Sequence, residues 1–109
     1  MYYIYMIKCE RGVLYTGIAS DISRRMKEHF TLSEKCAKFT RSHKAQSLEA
    51  LWIAENRSVA SKLEYRIKRL TRAQKLELIA DPEKVTELFD EPVEISPVKD
   101  FSFEEMIKE

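Results

Sequence analysis

Apolar positions along the first thirty residues change period. Tyr2 to Lys8 is rich in tyrosine and isoleucine and predicts a strand. Glu10-Arg11-Gly12 interrupts it as a turn, with Gly12 free to take positive φ. Val13 to Ile18 predicts a second strand, and the short connection makes the pair an antiparallel hairpin. The period then lengthens. Ile22, Met26 and Phe30 recur every four residues, the buried face of a helix that Ser20 or Asp21 can cap.

Residues 31–47 carry no clear period and are expected to form a polar, basic loop. Leu48 to Ala54 is a third strand, with Trp52 in its core. Ser58 is the expected cap of a second helix with an apolar stripe of Ala60, Leu63, Ile67 and Leu70. Thr71-Arg72-Ala73-Gln74 is a capping box for a third helix with Leu76 and Ile79 inward. Asp81-Pro82 opens a short fourth helix to about Phe89. Pro92 and Pro97 interrupt regular structure beyond it, and Val93 and Ile95 are candidates for an added edge strand. The outline β-β-α-β-α-α predicts an α+β fold, a small three-stranded antiparallel sheet flanked by α-helices. Residues 1–80 form the domain, and 81–109 form an acidic C-terminal helix and tail whose order the sequence leaves open.

At 109 residues the chain is long enough to bury one core, not two. No apolar run approaches the roughly 20 residues of a membrane helix. MYYIYMIKCE lacks the basic region and small-residue cleavage site of an export signal. Cys9 and Cys36 show neither disulfide-framework nor zinc-site spacing, so a reducing cytosol is the expected home. The net charge of +1 conceals an asymmetry: residues 1–80 carry 16 Lys/Arg against 8 Asp/Glu, and residues 81–109 carry 3 against 10. A basic body invites a polyanion, most commonly nucleic acid. The acidic tail is either a solvated appendage, the commoner case, or a cover for the basic face.

Arg25 and His29 are four residues apart and share a face of the first helix, with Arg24 roughly 100° round from Arg25. Glu64 and Lys68 make the same spacing on the second helix. Tyr5 and Tyr15 can meet across the hairpin on one face. Singly, each has an ordinary explanation: strand tyrosines pack, and Glu–Lys pairs at this spacing are usually solvated.

Together, Tyr3-Ile4-Tyr5-x-Ile7, Tyr15-Thr16-Gly17 and Asp21-x-x-Arg24-Arg25-x-x-x-His29 resemble the GIY-YIG nuclease domain. Ala37-Lys38-Phe39-Thr40-Arg41 and the stretch from Leu63-Glu64-Tyr65 to Gln74-Lys75 are similar to the small stand-alone bacterial YhbQ-like proteins of that family. The resemblance covers about residues 2–80. It implies a GIY-YIG fold and hydrolysis of phosphodiesters by an activated water with one divalent ion, Mg²⁺ or Mn²⁺. It also implies catalytic roles for Tyr5, Tyr15, Arg25, His29 and Glu64, with Glu64 holding the metal. A guanidinium and a metal both suit an anionic phosphodiester that gains charge in the transition state. Only about one free tyrosine in a thousand is phenolate at pH 7, so a tyrosine base needs a neighbouring cation or metal, or a relay through His29.

The family's first glycine is Tyr3 here, and a lysine that some relatives carry after the second motif is Ile18, which puts more weight on His29. Arg24, Lys38, Thr40, Arg41, Lys44 and Lys68 are candidate nucleic-acid contacts. The expected activity is endonucleolytic cleavage of single-stranded or structured DNA in repair, recombination or processing, by a monomer or weak dimer. RNA stays open as a substrate. A non-cleaving nucleic-acid-binding module and a protein-interaction domain using the acidic tail are the alternatives.

Overall fold

The structure is a computed structural model in which residues 1–30, 44–89 and 93–98 are described. Strand β1 (Tyr2–Cys9) leads through a 3-10 turn (Glu10–Gly12) into β2 (Leu14–Ala19), α1 (Ile22–Phe30), β3 (Ala45–Ala54), α2 (Arg57–Lys68) and α3 (Arg72–Ala80). A 3-10 helix (Pro82–Leu88) and β4 (Ile95–Pro97) follow. The sheet is antiparallel with order β2-β1-β3-β4, so the chain's first strand lies in the middle.

That position explains the composition of β1. Ile4 and Met6 point to one face, where they meet Trp52, Leu63 and Ile67; Tyr5, Ile7 and Cys9 point to the other, where they meet Ile22, Met26 and Leu51. A strand covered on both faces reads as a continuous apolar run rather than an alternating one. The hairpin turn takes two left-handed residues, Arg11 at φ 66° and Gly12 at φ 72°. Gly12 takes positive φ as expected, and Arg11 does so as well.

Helix boundaries follow the caps. Asp21 Oδ1 accepts the Arg24 backbone N–H at 3.1 Å, which selects Asp21 over Ser20 at the start of α1. At α2 the cap is Asn56, not Ser58: Asn56 Oδ1 accepts the Val59 N–H at 3.0 Å, and the helix begins at Arg57. At α3 both bonds of the Thr71–Gln74 capping box form. Leu76, expected inward, is exposed; Leu78 is the buried residue and Ile79 is half-buried. Leu76 and Leu78 are about 200° apart on a helix, so burying one turns the other to solvent.

The sheet has four strands rather than three because β4 pairs with β3, Ala54 opposite Ile95 and Trp52 opposite Pro97. Strand β3 starts three residues earlier than its apolar run, at Ala45, opposite Cys9. The fourth helix is 3-10 rather than α. The segment after residue 80 packs into the core of the domain: Val85, Phe89 and Ile95 are buried with Trp52 and Leu63. Trp52 Nε1–H donates to the Pro82 carbonyl at 3.0 Å, and the Arg66 guanidinium donates to the Leu88 carbonyl and lies 4.5 Å from the Phe89 ring centroid. Among the described residues no helix is long and apolar enough to cross a membrane.

Candidate active site

The hairpin register places Tyr5 directly opposite Gly17. A Cβ at position 17 would lie 2.4 Å from the Tyr5 hydroxyl oxygen and 2.6 Å from Cζ, so the Tyr5 ring occupies the space that a side chain would need. Gly17 lies within β2, and left-handed backbone is confined to Arg11 and Gly12 among the described residues. A tight turn out of the strand is therefore not its role. It makes room for a tyrosine.

Laid across β2, the Tyr5 side chain is buried and meets α1. Its hydroxyl is 2.7 Å from His29 Nε2, and Arg25 Nε–H donates to the same oxygen at 3.4 Å. Tyr5, Tyr15 and His29 form a cluster of three rings, with centroids 6.3 Å apart for the tyrosine pair, 5.4 Å for Tyr5–His29 and 5.5 Å for Tyr15–His29. His29 has no solvent exposure, whereas Tyr15 is half-buried.

Burial is the largest influence on both partners of the short contact. It pushes Tyr5 well above the usual tyrosine range; Arg25 opposes the rise, and Tyr15 and Glu64 add to it. His29 is pushed down to about 4, first by burial and then by the charge of Arg25, with Glu28 partly opposing. At neutral pH both groups are uncharged. The hydroxyl oxygen accepts from Arg25 and shares a short hydrogen bond with His29 Nε2, the direction of which is set by the imidazole tautomer.

Arg25 is held by a residue that motif reasoning missed. Glu28 Oε1 accepts from Arg25 Nη1 at 2.7 Å, and its other oxygen lies 3.5 Å from Arg24 Nε. Its spacing, three after Arg25 and four after Arg24, was the available signal. Arg24, Arg25 and Glu28 line a groove of about 300 Å³ with Ser20 and Asp21. Arg24 is well exposed, with 64% of its side chain accessible.

Helix α2 packs on the opposite face, but β2 is an edge strand and α2 side chains reach it. Lys68 Nζ lies 5.8 Å from the Tyr15 ring centroid and 3.3 Å from Glu64 Oε2. Glu64 also raises the Tyr5 pKa through space, which puts its carboxylate within electrostatic range of the ring cluster. The structure thus brings together Tyr5, Tyr15, Arg25, His29, Glu64 and Lys68. Lys44 stands apart at the start of β3, exposed, with its backbone N–H bonded to Glu10 Oε1 at 2.8 Å. Lys38, Thr40 and Arg41 lie outside the described residues.

No group of three or more His, Cys, Asp or Glu side chains able to hold a metal occurs among the described residues. Among the described residues, the hard donors near the rings are two phenols and two carboxylates, Glu64 and Glu28, of which Glu28 is taken up by Arg24 and Arg25. That set suits Mg²⁺ or Mn²⁺, which keep most of their waters and take one or two carboxylates. It does not suit zinc, which requires three or four protein ligands. Cys9 is buried with its thiol pushed up to about 11 by burial and by Glu10, so it offers no ready thiolate.

The GIY-YIG catalytic domain matches residues 1–77. A UPF0213 protein of Fusobacterium nucleatum is 43% identical over 82 residues, 75% of this chain and 80% of that protein. A UPF0213 protein of Desulfotalea psychrophila is 41% identical over 83 residues, 76% of this chain and 74% of its own length. The solution NMR structure of a UPF0213 protein from Bacillus halodurans is 33% identical, with a TM-score of 0.49 over 84% of this chain and 100% of that one. With the hairpin, α1 and α2 all inside the matched span, the chain belongs to the GIY-YIG family of nuclease-type catalytic domains.

Proposed function

We propose that this protein is a metal-dependent endonuclease hydrolysing phosphodiester bonds in DNA, single-stranded or structured, in repair, recombination or processing. One observation carries it: Arg25 and His29 converge on the Tyr5 hydroxyl, beside the half-buried Tyr15 and within electrostatic range of Glu64. The roles follow from the environments. Arg25, held by Glu28 and 25% accessible, binds a phosphate oxygen. Tyr5 stays protonated, and its hydroxyl, tied to both His29 and Arg25, fixes the position of the Arg25 guanidinium. Tyr15, partly open to solvent, is the phenol that an attacking water can reach, which makes it the better candidate for the base. Glu64 would hold the divalent ion, and a bound ion would supply positive charge against the phosphate as the transition state forms. The minimal domain favours backbone recognition over base readout, which suits single-stranded or structured DNA. A cytosolic monomer or weak dimer completes the proposal.

The Lys68–Glu64 pair at 3.3 Å favours a different reading, because a carboxylate already neutralised by an ammonium is a weaker metal ligand. In that case the domain binds nucleic acid without cutting it. Labelled single- and double-stranded DNA and RNA, incubated with Mg²⁺ or Mn²⁺, separate the two. Cutting by wild type that Glu64→Ala abolishes supports the nuclease; binding without cutting by wild type leaves only the non-cleaving module.

A further inference from the structure

Helix α2 buries Ala60, Leu63 and Ile67, and the opposite side of the same helix carries Tyr65, which is 60% exposed. An aromatic ring in that position contributes nothing to the core, yet it is held. Arg69, four residues on, donates from Nη1 to the Tyr65 hydroxyl at 2.8 Å, and its guanidinium lies 5.3 Å from the ring centroid. Two contacts from one side chain restrict the ring before any ligand arrives, and enough of the residue stays accessible for its surface to be used.

The surroundings select the ligand. Lys62 and Lys68 are exposed along α2, Arg69 is exposed at its C-cap, and Arg72 follows at the start of α3, its guanidinium donating to the Gly12 carbonyl. The single acidic residue of α2 is Glu64, and it is paired with Lys68. A flat ring framed by cations fits a molecule that offers phosphates and π-faces together, namely a nucleic-acid strand. An acidic peptide would answer the charge and leave the ring unused.

We infer that Tyr65, braced by Arg69, is a stacking platform for an unpaired nucleobase of a strand bound along α2. The inference rests on the nucleic-acid reading above and deepens it. Tyr65 lies about 100° round α2 from Glu64, so a base on its ring belongs to a nucleotide that flanks the candidate site rather than to the one bound at Arg25. Stacking needs an unpaired base, so the platform gives single-stranded or frayed substrate an advantage over intact duplex.

The test is anisotropy of a labelled single-stranded oligonucleotide, in EDTA so that nothing is cut, against wild type, Tyr65→Ala and Tyr65→Trp. Another strand of equal length, made entirely of abasic sites, is titrated in parallel. Tyr65→Ala should weaken binding of the normal strand by about tenfold and leave the abasic strand unchanged, while Tyr65→Trp should bind at least as well as wild type. Equal affinity of wild type and Tyr65→Ala for the normal strand overturns the platform and leaves the nucleic-acid reading intact. A matching loss on the abasic strand also overturns it, because the ring would then act without a base. A wild-type chain that binds neither strand overturns the nucleic-acid reading and the platform with it.

Discussion

Replacing His29 by glutamine should change how stability depends on pH. His29 has no solvent exposure and lies 2.7 Å from the Tyr5 hydroxyl, and burial, helped by Arg25, holds it down to about 4. In the unfolded chain a histidine titrates near 6.5. Between these values the unfolded chain binds the proton and the folded one does not. The contribution is therefore complete above about pH 7 and is lost as pH falls from 6.5 towards 4. With those two values, the loss between pH 7 and pH 5 is about 2 kcal/mol. Carboxylates titrate in the same range, but they are common to both proteins and cancel in the comparison. Glutamine keeps a polar group in reach of Tyr5 and removes the titration. Guanidinium unfolding of wild type and His29→Gln at pH 7 and pH 5 should show wild type losing about 2 kcal/mol relative to the variant. A stability gap that is equal at both pH values refutes the placement of His29 as a buried neutral base.

Gly17→Ala should displace the Tyr5 ring, because the added carbon would sit 2.4 Å from its hydroxyl oxygen. Overpacking of this kind costs roughly 1–3 kcal/mol in a thermal melt, and a misplaced group at a reacting centre costs on the order of a hundredfold in cleavage rate. Unchanged activity would mean that Tyr5 need not sit where it does. Glu28→Gln removes the carboxylate that pairs with Arg24 and Arg25, so DNA binding at low salt should tighten while kcat falls as Arg25 loses its support. Tighter binding with an unchanged or higher kcat, or weaker binding with a lower kcat, would count against a positioning role. Ending the chain at Ala80 removes the buried side chains of Val85, Phe89 and Ile95 and the acceptor of the Trp52 N–H. At about 1.5–3 kcal/mol per side chain the loss approaches a small domain's whole stability, so circular dichroism should show an unfolded chain at 25 °C.

What the sequence revealed was what is local. The Thr71–Gln74 capping box forms as written, since both of its bonds lie within four residues. Asn56 and Ser58 both had the chemistry of a cap, and the choice between them depended on how far α2 extends over the sheet. Ile95 stood out as a candidate edge-strand residue and β4 begins there, but the strand is three residues long and ends on a proline, and its place in the sheet depends on a partner some forty residues away. At the site, the i, i+4 spacing of Arg25 and His29 gave their shared face. It did not reveal that the imidazole is buried, because that depends on Tyr5, 24 residues distant, lying across Gly17. Leu76 and Leu78 are equally apolar in the sequence, and only the docking of α3 decides which is covered.

The close fit of Tyr5 over Gly17 also bears on how this hairpin can vary by descent. The tyrosine of β1 and the glycine of β2 would pass for two separate marks of the family, yet here each is the condition for the other. Any side chain at 17 collides with the ring at 5, and a small residue at 5 would leave a void over the glycine. A lineage can leave the pair cheaply only by changing both positions, and the first change alone disturbs the contact to His29. The tyrosine and the glycine should therefore be substituted together, and a relative carrying either without the other should have a rebuilt ring cluster.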